Sequence, residues 1–366
     1  MRTEVKTATI LAIGITVAII SLSVILSTFD SETDTPLTKE KNDGIDKSGF
    51  KKAPDLVGIA YYLNTTPEEL SQKMKDKVVL YDIWTYSCIN CVRTLPYITA
   101  WDEKYSDEGL LIIGIHSPEF EFEKDPKNVE MAIAKYGISY PVVMDNEMKT
   151  WKAFENRYWP RKYIADYEGY IRYDHIGEGA YKETEQVIQK LLEERAAALG
   201  TESIVNGSLV KIEEFNHAAF RTPELYFGYG FAQGRNQLGS NEGFSQNKIV
   251  TYAEPEKIEL HKFYPIGQWK NLEDSMELIA NEGTIKLRFN AKEVNVVTSN
   301  SAVIEIFLDG EPLSAKYAGN DITSGNKLNV KESGLYNIIS SKDESSHLLE
   351  IKVNGSGFKI YTFTFG

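Results

Sequence analysis

Residues 77–91 read KVVLYDIWTYSCINC, and this stretch decides the fold. Val78, Val79, Leu80, Ile83 and Trp84 make a nearly continuous apolar run, the pattern of a short strand buried on both faces. After Cys91 the run VRTLPYITAWDEKY takes up a helical period, with Val92, Leu95, Ile98 and Trp101 on one side. Cys88-Ile89-Asn90-Cys91, which holds the only 2 cysteines of the chain, therefore falls where a strand hands over to a helix. The first turn of a helix offers unpaired N–H groups and the positive end of the macrodipole, and both favour a thiolate. Cysteines in such motifs titrate at about 3.5 to 7.5, against about 8.5 for a free thiol. Cys88 is the expected nucleophile, and Cys91, one turn further in, is placed to attack a mixed disulfide formed on Cys88.

The wider run DIWTYSCINCVRTLPY, followed by HSPEFEFEKDP and NRYWPRKYIADYEGYIRYDHIGEG, resembles the DipZ-like branch of the membrane-associated TlpA-like thioredoxins over residues 54–192. The resemblance implies a thioredoxin fold and extracytoplasmic dithiol–disulfide exchange. It also implies roles for single residues. Asp82 matches the buried carboxylate that assists proton transfer, Trp84 the tryptophan under the active site, and Pro96 the proline that kinks the helix. Pro160 matches the cis-proline facing the disulfide, where a cis bond would expose the backbone of Trp159 to an extended substrate. Glu119 corresponds to a loop acid of the family; a place near the disulfide and a plain loop charge are both open to it. An integral-membrane electron carrier of the CcdA or DsbD type is the implied recycling partner.

Read without the resemblance, Asp82 stands in an apolar strand, where a carboxylate is costly unless neutral or paired. A raised pKa would suit a group relaying the proton of Cys91; a structural carboxylate held by hydrogen bonds is the alternative. A zinc site needs four ligands, and no second Cys or His pair accompanies the motif: the 5 histidines, at 116, 175, 217, 261 and 347, are scattered. A c-type haem would need histidine where Val92 stands. No metal and no diffusible cofactor are expected beyond the redox-active Cys88–Cys91 pair.

Length and composition, with 366 residues of which 42% are hydrophobic, allow two cores. The formal charge of −13 argues against a nucleic-acid partner, which would require a basic surface. Residues 7–29 carry no charged side chain, and some 20 apolar residues at about 1.5 Å each span a hydrocarbon core of roughly 30 Å. They read as a membrane anchor or a signal peptide. The long apolar core and the lack of an A-x-A site favour an uncleaved N-terminal transmembrane helix. Arg2 and Lys6 precede it, which places the chain beyond residue 30 outside the cytoplasm. Residues 30–53 are a polar tether.

From residue 54 to 200, strands alternate with helices and close in a hairpin, KYIADY and YIRYDHIG, and a last helix, ETEQVIQKLLEERAAAL. That is a thioredoxin-like α/β fold with a central mixed sheet. Residues 201–221 read as an interdomain connection. From 222 to 366 the chain turns to short alternating segments: ELYFGYGFA, MELIA, TIKLRFNA, VNVVTS, AVIEIFLDG, LYNIIS, HLLEIKV and FKIYTFTFG. They are the signature of an all-β sandwich. The TPELYFGYG and GQWK runs are similar to the small β-sandwich that comes after the thioredoxin domain in DipZ-like proteins, a module likened to carbohydrate-binding domains. Tyr226, Phe227, Tyr229, Phe231 and Tyr252 are candidate platform aromatics.

The expected protein is a membrane-anchored, extracytoplasmic thiol–disulfide oxidoreductase acting on protein substrates. Because Ile89-Asn90 brings no positive side chain between the cysteines, a reductase is favoured over an oxidase. The alternative is a cell-surface binding protein in which the β-sandwich recognises a glycan or protein ligand and the thioredoxin domain is scaffold.

Overall fold

Two sheets, each built around its own apolar cluster, organise the computed structural model, which describes residues 46–202, 205, 207–216 and 221–366. The expected transmembrane helix lies outside the described residues, and none of the described helices is long and apolar enough to cross a membrane.

The first sheet has six strands in the order β1 (Tyr61–Leu63), β4 (Val142–Met144), β3 (Leu110–His116), β2 (Val78–Trp84), β5 (Arg161–Ala165), β6 (Ile171–Ile176). Strand β2 runs parallel to β3, and β3 to β4, whereas β5 and β6 are antiparallel to their neighbours, so the sheet is mixed as expected. All seven residues of β2 and of β3 are buried because both faces are covered. Val78, Leu80 and Trp84 enter one cluster with Leu95, Ile98 and Trp101, and Val79, Tyr81 and Ile83 enter the other with Phe154 and Tyr163. Each such side chain contributes roughly 1.5–3 kcal/mol by leaving water. Gly114 of β3 leaves little room for a side chain: a Cβ there would lie 3.0 Å from the Trp84 Nε1.

The helices are α1 (Pro67–Lys73), α2 (Ile89–Tyr105), α3 (Pro126–Tyr136), α4 (Lys149–Ala153) and α5 (Tyr181–Leu199). Local sequence sets their ends. Thr66 and Glu69 make a capping box on α1; Asp125 caps α3 ahead of Pro126, and Gly137 closes it at φ 64°.

The C-terminal lobe is a sheet-rich region around Trp269, Phe263, Phe289 and Phe358. Two expected pairs of short strands are in fact single long ones. TIKLRFNA and VNVVTS fuse into β11 (Glu282–Ser299), and LYNIIS and HLLEIKV fuse into β15 (Gly334–Asn354). The polar residues that separate them in the sequence are accommodated by register shifts at Ala291/Glu293 and Val294/Asn295 that let both strands bend without breaking. The first half of β11 pairs with β9 (Phe263–Asn271) and its second half with β16 (Lys359–Phe365), so one strand serves two sides of the core. ELYFGYGFA is strand only at β7 (Leu225–Tyr226) and then turns into the short helix α6 (Tyr229–Ala232), where Gly228 lies so close to the backbone of Asp274 that a Cβ would clash with it. Strands β8 (Ile249–Tyr252), β10 (Met276–Leu278), β12 (Ala302–Leu308), β13 (Glu311–Pro312) and β14 (Lys327–Val330) complete the lobe.

The lobes belong to one compact unit, Phe50–Gly366. Phe120 and Phe122, from the loop after β3, meet Tyr361 of β16 at ring-centroid distances of 4.9 and 4.8 Å. Part of the connection after α5 is tied down as well: Val205, Val210 and Ile212 pack on the thioredoxin-like core, and the amide of Val210 donates to the buried carboxylate of Glu185, 2.9 Å away. Glu185 also accepts from Tyr105 Oη at 2.6 Å and Lys104 Nζ at 3.0 Å. Glu185→Ala strands these donors and is expected to lower stability by about 3 kcal/mol in denaturant unfolding.

Candidate functional site

Strand β2 ends at Trp84, and Thr85, Tyr86 and Ser87 carry the chain to Cys88, the N-cap of α2. The Cys88 sulfur accepts the amide of Cys91 at 3.3 Å, so a charge on this sulfur would be held by a helix N–H. No acidic residue opposes it in the first turn. Cys88 is half-buried and Cys91 buried. The helix continues through Pro96 to Tyr105.

Beneath the thiols, Asp82 faces Gly114 of β3 on one side and Lys162 of β5 on the other. Both Asp82 and Lys162 are buried. Burial pushes the Asp82 carboxyl up to about 6, with the Lys162 ammonium holding it back, and its Oδ1 has no hydrogen-bond partner. Burial, followed by the bond to Cys88 and the neighbouring charges of Cys88 and Asp82, pushes the Cys91 thiol well above its ordinary value. Lys162 is lowered by burial and raised again by Asp82, Cys91 and Glu178; its Nζ donates to the carbonyl of Gly177 at 3.2 Å. Thus Cys91, Asp82 and Lys162 form one buried charge group. Lys162 went unread in the sequence, where it stands beside Arg161 in WPRKYIADY with nothing local to tell it from a surface cation.

Trp159–Pro160 is a cis peptide, and the Pro160 carbonyl accepts from Gly177 N at 2.8 Å. Trp159 and Cys88 both pack at the margin of the cluster that contains Cys91, and the Trp159 indole donates to the Ser117 carbonyl at 2.9 Å. Trp84 is fully buried and meets His116 edge-on at 5.4 Å, beneath the site rather than on its surface. The His116 imidazole is driven down to about 3 by burial and is therefore neutral.

Glu123, also unread in the sequence, organises the loop before Cys88. Its Oε1 accepts the hydroxyls of Thr85 and of Ser87, the latter at 2.6 Å, while Oε2 accepts the amides of Glu119 and Phe120 at 2.6 and 2.9 Å. Glu119 turns to the C-terminal lobe. The Tyr226 hydroxyl lies 3.0 Å from Glu119 Oε1 and 2.8 Å from Glu224 Oε2. One phenol has one hydrogen, so one of the two carboxyls must supply the other and be protonated. Burial and the mutual charge raise Glu119 well above its ordinary value. The C-terminal lobe also reaches the flanks of the motif: Tyr86 Oη donates to the Ser333 carbonyl at 3.3 Å, and Arg93 Nη2 to Glu293 Oε2 at 2.8 Å. Of the candidate platform aromatics, Tyr226, Phe227 and Tyr252 are buried.

Comparison with known proteins places this geometry in a family. Residues 49–192 match the Redoxin family, and residues 222–366 match the family described as Thioredoxin like C-terminal domain. The thiol–disulfide oxidoreductase YkuV of Bacillus subtilis is 30% identical over 143 residues, which cover 38% of this chain and 94% of YkuV. The chain belongs to the thioredoxin-like thiol–disulfide oxidoreductases. It is also similar to protein DipZ of Mycobacterium bovis, 32% identical over 317 residues that make up 86% of this chain and 43% of DipZ. The chain thus spans less than half the length of that relative. A solution structure of a thioredoxin-like protein in the oxidised form is 29% identical, with a TM-score of 0.36, covering 42% of this chain and 98% of that one.

Two outcomes test this electrostatic arrangement. In Lys162→Met the Asp82 carboxyl loses the ammonium that opposes burial, and its titration, followed by carboxyl-carbon NMR, is expected to move up by ~1 unit or more. For Glu119, folding raises proton affinity, so the stabilisation is present below the unfolded value of 4.5 and is lost as pH rises through the folded one. Thermal unfolding of the parent should therefore weaken, as pH rises above the unfolded value, by more than that of Glu119→Gln.

Proposed function

We propose that this protein exchanges disulfides with protein substrates from a position outside the cytoplasm, held to the membrane by its N-terminal apolar segment, and that it works as a reductase. The observation that carries the proposal is the asymmetry of the two sulfurs: Cys88 half-buried and hydrogen-bonded at the helix start, Cys91 buried over Asp82.

The Cys88 thiolate attacks one sulfur of a substrate disulfide. A bond forms between Cys88 and that sulfur, the substrate S–S bond breaks, and the leaving thiolate takes a proton. Cys91 then gives its proton to the Asp82 carboxylate and attacks Cys88. The Cys88–Cys91 disulfide forms, the mixed disulfide breaks, and the second substrate thiol departs; the substrate has gained two electrons and the protein has lost them. An uncharged Ile89-Asn90 interior favours this direction because nothing in it stabilises the Cys88 thiolate strongly enough to make a potent oxidant. A dithiol donor must return the electrons, and a membrane carrier of the CcdA or DsbD type fits that need. Trp159 and Pro160 supply the surface on which an extended substrate lies.

Cys91→Ala keeps the nucleophile and removes the resolving thiol, so mixed disulfides with substrate proteins should accumulate on non-reducing gels, while Cys88→Ala should accumulate none. Equal trapping by both variants, or by neither, contradicts this division of labour.

A further inference from the structure

The C-terminal lobe holds a second group of reactive side chains, none of which the thiol chemistry uses. Ser345 and His347 stand two residues apart on β15, so they project from the same face of the strand. Asp309 comes to them from the turn between β12 and β13, where Asp309 and Gly310 take φ of 54° and 88° and reverse the chain. Two backbone contacts hold it in place: Asp309 N donates to the Leu348 carbonyl at 2.8 Å, and Leu348 N donates to Asp309 Oδ1 at 2.8 Å. The other carboxyl oxygen, Oδ2, lies 2.6 Å from His347 Nδ1, and His347 Nε2 lies 2.7 Å from Ser345 Oγ.

The chemistry of the three groups fixes the direction of these hydrogen bonds. Burial alone would raise the Asp309 carboxyl, but the Leu348 amide and the His347 ring outweigh it and hold the carboxyl below its ordinary value, so it is ionised at neutral pH. A carboxylate only accepts, so the hydrogen of a neutral imidazole sits on Nδ1. Nε2 then carries the lone pair, and Ser345 donates its hydroxyl to it. A serine bonded in this way to an imidazole that a carboxylate orients is an activated nucleophile, recognised by geometry on unrelated folds. Phe289 of β11, tilted against the imidazole at 6.1 Å, and Tyr317, edge-on at 5.4 Å, restrain the ring in this line. The His347 side chain is 15% exposed and Ser345 is half-buried, so the bond between them is reached from solvent. The cations around the group are Arg288, whose charge acts on Asp309, and Lys316, whose Nζ donates to Tyr317 Oη at 3.1 Å. Among the described residues neither bonds to Ser345 or His347, and the half-buried Tyr317 ring is the apolar surface beside them, which suits an uncharged acyl group.

We propose that Ser345, His347 and Asp309 form an acyl-transfer site in the C-terminal lobe, with Ser345 as the nucleophile toward uncharged carboxylic esters. Ser345 Oγ bonds to the ester carbonyl carbon as His347 Nε2 takes the hydroxyl proton. The bond from that carbon to the alcohol oxygen breaks, and the proton passes from Nε2 to the departing alkoxide. Water in the place of the alcohol repeats the sequence in reverse, releasing the acid and restoring the serine, with no change of oxidation state. A positioned base of this kind contributes about 10²- to 10⁴-fold in rate.

The test uses the full chain with Cys88 and Cys91 oxidised to their disulfide, so that no thiolate competes. Its two probes are an alkyl fluorophosphonate, which bonds through phosphorus to an activated serine with loss of fluoride, and p-nitrophenyl butyrate. Peptide mass spectrometry should find the phosphonate on Ser345 alone, and the labelled protein should lose its ester hydrolysis. His347→Gln should lower both rates by about a hundredfold or more, and Ser346→Ala, at the next position of the strand, should change neither. Asp309 acts through His347: without its charge the imidazolium is less favoured, so Asp309→Asn should lower the labelling rate and displace its rise with pH to lower pH, which a loss of structure does not do. Label absent from Ser345 in the parent, label spread over several hydroxyls, or labelling of Ser345 that survives His347→Gln overturns the acyl-transfer site. The result on the parent decides the matter even where thermal unfolding shows that a variant has not folded.

Discussion

The buried carboxylate of Glu123 is the constraint on which the rest of the site depends. Its two oxygens take four donors, two hydroxyls from the residues on either side of Tyr86 and two amides from the loop after β3. A carboxylate removed from water is tolerated only when its lone pairs are occupied, so the donors cannot separate without exposing an unpaired charge in the core. The consequence reaches in two directions. Toward the cysteines, it fixes the approach of β2 to the start of α2. Toward the C-terminal lobe, it sets the loop that presents Phe120 and Phe122 to Tyr361 and Glu119 to Tyr226. Thiol site and lobe contact are thereby one mechanical unit.

Below that loop the chemistry is a matter of proton affinity in a dry environment. Asp82 and Cys91 are both pushed toward their neutral forms, and among the described residues Lys162 pulls the carboxyl the other way. A base that must accept a proton from a buried thiol is useful only if it is neither fully ionised nor fully protonated at working pH. A carboxyl at about 6 meets that requirement, and it does so through a balance between burial and one ammonium.

Legibility in the sequence depends on the range of the interaction involved. Pro160 was singled out by the family resemblance and not by its neighbours, whereas the strand–CxxC–helix junction and Asp82 stand out through local pattern, an apolar run, a fixed spacing and a charge where none belongs. The hairpin and last helix of the thioredoxin-like sheet are legible for the same reason. Lys162 is not, because beside Arg161 at the start of a strand it reads as half of an ordinary basic pair. Nor is Glu123, since among the acids of HSPEFEFEKDP nothing local tells the one that turns inward from those that meet water. The fused strands β11 and β15 were hidden by polar residues that interrupt the alternating pattern and are taken up by register shifts. The partners of Tyr86, Arg93 and Glu119 lie more than a hundred residues away, where periodicity has nothing to say.

That separation has a consequence in time. Ser333, whose carbonyl holds Tyr86, is 247 residues downstream of it. At roughly 5–20 residues per second, a ribosome adds that length over tens of seconds. The strands and helices around Cys88 are complete much earlier, so the contacts of Tyr86 and Arg93 with the β lobe are the last to form on the flanks of the motif.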